Sequence, residues 1–73
     1  MSTITDEVVN NLATTTIFSS SDVKNALCML TDLYHIEEET ALKLIQPITE
    51  FATAYDKTLF WMIHYLFVKQ KKA

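Results

Sequence analysis

Seventy-three residues with one cysteine, two histidines and a formal net charge of −3 make one small domain at most. They supply too few thiols for an internal disulfide and too few ligands for a structural zinc site. Glycine and arginine are both absent and proline occurs once, at Pro47; Gly-rich phosphate loops are excluded and primed β-hairpin turns are disfavoured.

The first apolar stripe runs from Ile4 through Val8 and Leu12, four residues apart, with Val9 and Ala13 beside it. That spacing predicts a helix over about 4–14. Thr3 or Thr5 can cap it, and Asp6 and Glu7 sit in its first turn, where the helix dipole favours acids. The run Thr14-Thr15-Thr16 lowers helix propensity and ends it.

The second start signal is the clearest in the chain. Ser19 fits an N-cap with Asp22 three residues on, and Phe18 and Val23 occupy the two positions of a hydrophobic staple. Val23, Ala26, Leu27, Leu30, Leu33 and Tyr34 then follow helical spacing, which predicts a helix over about 20–34. Cys28 falls beside that stripe, the place of a small, inert buried thiol.

Glu37, Glu38 and Glu39 open a third helix, about 37–55, whose apolar positions are Ala41, Leu42, Ile45, Ile48, Ala52 and Tyr55, flanked by Leu44 and Phe51. Pro47 falls in its middle and removes one backbone donor. The periodicity stays in phase across Pro47, which favours one kinked helix over two separate ones.

Asp56 is the expected cap of the last helix, about 57–70. Nine of the ten residues from Leu59 to Val68 are apolar, and His64 alone interrupts them. On a helical wheel Lys57, His64 and Lys71 share one narrow polar stripe. A helix apolar on nearly all its circumference needs burial on nearly all of it.

These elements predict an all-α fold: a small bundle of four helices in a single domain spanning 1–73. Such a bundle covers one face of its last helix and leaves the rest to water. Leu59, Ile63 and Leu66, flanked by Phe60 and Phe67, are assigned to the core. Phe60, Trp61, Met62, Tyr65 and Val68 are assigned to an interface, since contiguous exposed apolar surface is rare on soluble monomers and Trp, Tyr, Phe and Met are enriched at interface cores. A domain this small is marginally stable by itself, so a homodimer or higher oligomer is expected, together with a protein target.

Charge divides the chain. Residues 1–39 carry Asp6, Glu7, Asp22, Asp32, Glu37, Glu38 and Glu39 against Lys24, a balance of −6; residues 40–73 carry Lys43, Lys57, Lys69, Lys71 and Lys72 against Glu50 and Asp56, a balance of +3. Helix-dipole complementation and a solvated tail account for this, with polar steering of a partner as the sharper reading. Nucleic-acid binding is disfavoured: the helix in the recognition position opens with three glutamates, and no arginine is present to read guanine. Asp32, His35 and Glu39 would share a face only if one helix ran through them, so no metal or other cofactor is expected. No nucleophile–base pair can be assembled, which argues against an enzyme.

The single cysteine, and the lack of a basic segment and apolar run after Met1, fit a cytoplasmic protein. The bias toward Ile, Thr, Lys and Asn resembles the product of an AT-rich genome. The expectation is a non-enzymatic interaction module, a small regulator or inhibitor of the phage or mobile-element type. The alternative is a membrane-peripheral accessory using Trp61, Tyr65 and the lysine tail at a bilayer surface or on the cytoplasmic part of a membrane protein.

Overall fold

The computed structural model describes residues 4–71, with side chains as far as Val68. The Thr3 cap and the side chains of the Lys69, Lys71 and Lys72 tail lie outside the described residues. Every regular element of the described chain is a helix: α1 (Asp6–Thr14), α2 (Ser20–Cys28) continuing into one π-helical turn (Met29–Leu33), α3 (Glu38–Ala54) and α4 (Leu59–Lys71).

The helix starts follow the capping chemistry of the sequence. Thr5 Oγ1 accepts from the Val8 N–H at 3.3 Å to open α1, and Ser19 Oγ accepts from the Asp22 N–H at 3.1 Å to open α2. Phe18 is half-buried against the core and Val23 fully buried, as the staple requires. The three threonines that end α1 turn their hydroxyls back onto its last carbonyls, Thr14 onto Asn11, Thr15 onto Leu12 and Thr16 onto Ala13. They fill acceptors that a helix end otherwise leaves to water.

α2 lies at the centre and touches α1, α3 and α4. Its inward residues Val23, Ala26 and Leu27, with Leu30 of the π-turn, are fully buried. The stripe expected to continue through Leu33 departs at that turn. There the Tyr34 N–H reaches five residues back to Met29 O. The wider turn rotates Leu33 off the buried face, and Leu33 is 60% exposed. Tyr34 stays half-buried and stacks on Phe67 with ring centroids 4.9 Å apart.

α3 runs unbroken through Pro47 and buries Ala41, Ile45, Ile48, Thr49 and Ala52. Tyr55, placed by the sequence on the same stripe, is 65% exposed, because it is already the capping residue where the chain leaves the helix. The hydroxyl of buried Thr49 donates to Gln46 O at 2.7 Å, so its burial leaves no donor unpaired.

A chain without glycine still needs two left-handed residues to stop helices, and it uses His35 (φ 58) and Asp56 (φ 57). Both belong to the types that tolerate this region best after glycine. Behind Asp56 the Lys57 N–H donates to Ala52 O at 2.8 Å and the Asp56 N–H to Thr53 O at 3.2 Å, the paired bonds of a Schellman stop. Asp56 is therefore the terminator of α3 and not the cap of α4. The cap is Thr58, whose hydroxyl accepts from the Trp61 N–H at 3.0 Å.

Candidate interaction surface

α4 buries Leu59, Met62 and Ile63, and half-buries Leu66. The spacing i, i+3, i+4, i+7 is that of a helix seated on one face only. Leu59, Ile63 and Leu66 take the core positions expected of them, and Phe67 joins them half-buried beside Tyr34. Met62, expected at the interface, is 3% exposed and belongs to the core of its own chain. The buried arc is one residue wider than the wheel implied, because α4 meets α3 on that flank as well as α2.

The other expected interface residues do not form one patch. Trp61 and Tyr65, each 43% exposed, stand on the flank of α4 facing α3. Phe60, 38% exposed, lies on the opposite flank, in a hollow with Ile17, Phe18 and Asp22. Val68 is half-buried near the end of the described side chains. His64 faces solvent.

What Trp61 and Tyr65 meet was not anticipated. The short connection between α3 and α4 folds the two helices into a hairpin. Phe51 and Tyr55, at the end of α3, come to stand opposite Trp61 and Tyr65. The four rings rim a trough of about 470 Å³ floored by Met62 and Leu66, with Lys57 at one end. A second hollow of about 280 Å³, lined by Leu44, Pro47, Ile48, Phe51, Leu66 and Phe67, adjoins it at Phe51 and Leu66. Together they follow α3 from Leu44 to Tyr55, about 16 Å at the helical rise.

The rings are already ordered. Trp61 and Tyr65 stack with centroids 5.1 Å apart and planes 8° from parallel. Lys57 Nζ lies 4.8 Å from the centre of the Trp61 ring, a cation–π contact on an exposed face. Phe51 and Tyr55 stack at 6.4 Å and 18°. All four rings are 43–65% exposed, so about 400 Å² of aromatic surface meets water, taking ~200 Å² per side chain. Patches of that size on a monomer are often functional.

The residues weighed for other chemistry stand apart from this surface. Asp32 lies in the π-turn, His35 in the connection and Glu39 in the first turn of α3, all exposed. The break at His35 removes the shared face on which they would have converged. Among the described residues no group of three His, Cys, Asp or Glu side chains could hold a metal ion. Cys28 is half-buried on α2. No helix among the described residues is long and apolar enough to cross a membrane.

No protein-family model, curated protein or solved structure matches this chain.

Proposed function

We propose that this chain is a non-enzymatic interaction module that recognises protein through the aromatic trough between α3 and α4, and that it acts, alone or as an oligomer, as a small regulator or inhibitor of a protein target. The observation that carries the reading is the set of four exposed, pre-stacked rings, Phe51, Tyr55, Trp61 and Tyr65. The fold does not need these rings inside, and rings already held in place lose little side-chain entropy when a partner covers them. Trp and Tyr are the residue types that most often dominate binding energy at such sites.

The membrane-peripheral reading draws on the same side chains. Concavity weighs against it. An interfacial helix lays an outward apolar face into the bilayer, whereas the four rings border a recess that the ridge of a protein fills.

A photo-crosslinking residue at position 65 of the full chain, activated in cells, tests the choice. Discrete protein adducts that disappear with Trp61→Ala are expected. Adducts to lipid, or flotation of the chain with anionic vesicles that Trp61→Ala abolishes, would overturn the protein reading.

A further inference from the structure

Two ridges of the same kind flank the trough. Phe51–Tyr55 and Trp61–Tyr65 are each i, i+4 pairs. Such rows are the ridges by which helices of globular proteins most often interdigitate, at a crossing angle of about −50°. A surface that carries such a ridge directly beside a trough is complementary to itself under a two-fold rotation. The ridge of each copy enters the trough of the other, and the same contacts are made twice.

We infer that the occupant of the trough is a second copy of this chain, with the Trp61–Tyr65 ridge of each protomer seated over Met62 and Leu66 of its partner. The inference rests on the reading of the trough as a protein interface and names its partner.

The area suits a pair of this size. A standard dimer takes about 800 Å² from each protomer. The four rings supply about half of that. Exposed Pro47 and half-buried Leu44 and Phe67 extend the same face. A 73-residue chain whose single cysteine permits no internal disulfide also gains stability from such a union.

The charges permit it. α4 contains no acid, so a pair of α4 helices brings only cations together. Lys57 stands in the connection before α4, at one end of the trough and away from the Met62 and Leu66 floor that the partner's ridge covers. Each Lys57 ammonium also rests on the Trp61 ring of its own chain and needs no acid from the partner.

Sedimentation equilibrium of the full chain over a wide micromolar range is the test. A two-state equilibrium between 8.4 kDa and twice that mass is expected. A hot-spot ring costs roughly 30-fold on truncation and occurs twice in a two-fold interface, so Trp61→Ala should weaken the dimer about 1,000-fold. Tyr65→Lys should do the same if Trp61→Ala disturbs helical circular dichroism. Ile17→Ser, on the α1–α2 connection, should change nothing. In a mixture of isotope-labelled and unlabelled protein, nuclear Overhauser effects between chains should link the Trp61 ring to Met62 and Leu66 methyl groups. A chain monomeric throughout overturns the inference, as does a dimer indifferent to both variants or an open-ended series of larger species. Position-65 crosslinks to other proteins would in that case still stand, so the pairing and the protein-binding reading can fail separately.

Discussion

α2 and α4 both border the core, and they use their apolar residues differently. In α2 and its π-turn the inward residues Val23, Ala26, Leu27 and Leu30 are at 0% exposure; the outward ones on α2 are Ser21, Lys24 and Asn25, and Leu33 at the end of the π-turn is the one large apolar side chain turned out. Nothing apolar on α2 itself is left over. In α4 the buried set Leu59, Met62 and Ile63 is accompanied by Phe60, Trp61 and Tyr65 at 38–43% exposure. The first helix is an amphipathic element completed by the fold. The second carries more apolar surface than the fold can cover, and that excess is where binding is to be sought.

The largest effect expected of any single change falls on the completed side. Leu30→Ala leaves a cavity between α2 and its neighbours and should cost roughly 2–5 kcal/mol in chemical denaturation, at every protein concentration. A neutral outcome would break the comparison, since the stripe shared by α2 and its π-turn would then not be the core that its burial implies. Trp61→Ala should leave helical circular dichroism nearly intact and remove about 2 kcal/mol or more of association energy per site, read by sedimentation or by loss of crosslinks.

Cap removals sharpen the comparison at a smaller scale. Ser19→Ala at the start of α2 and Thr58→Ala at the start of α4 should each cost about 1 kcal/mol, measured by urea denaturation. Equal costs would show that the two helices differ in their faces and not in how they are started. Smallest is the change at Asp56. Asp56→Gly relieves left-handed strain and adds freedom to the unfolded chain by similar amounts, so stability should stay within about 0.5 kcal/mol. Asp56→Val places a β-branched residue at φ 57 and should cost more than about 1 kcal/mol.

The sequence made the helices legible because their signals are local: a threonine or serine cap, acids in the first turn, apolar residues at helical spacing. Ser19, Phe18 and Val23 act as their types and spacing imply. What escaped depends on geometry that neighbours in sequence do not encode. The π-turn moves Leu33 out by widening one turn, and no residue type announces it. Asp56 reads equally as a cap or as a left-handed stop, and only the bonds to Ala52 and Thr53 decide between them. Met62 is buried more deeply than the wheel of an isolated helix implies, because α4 is held from two sides. The partnership of Phe51 and Tyr55 with Trp61 and Tyr65 is tertiary. A signal for it existed all the same: two aromatic i, i+4 pairs on either side of a short connection, which a helical hairpin brings face to face.

Thermal unfolding of the wild type, Ile63→Ala and Trp61→Ala across a wide range of protein concentration tests most directly whether the outward face of α4 serves association while its inward face serves the fold. Ile63 is fully buried and Trp61 is 43% exposed. The wild type should melt higher as concentration rises, because binding stabilises the folded state by mass action. Ile63→Ala should melt lower at every concentration and keep that upward slope. Trp61→Ala should match the wild type at the lowest concentration and lose the slope. If Trp61→Ala instead lowers the melting temperature by a fixed amount at all concentrations, as Ile63→Ala does, then Trp61 serves the interior of a single chain and the trough is not the binding surface.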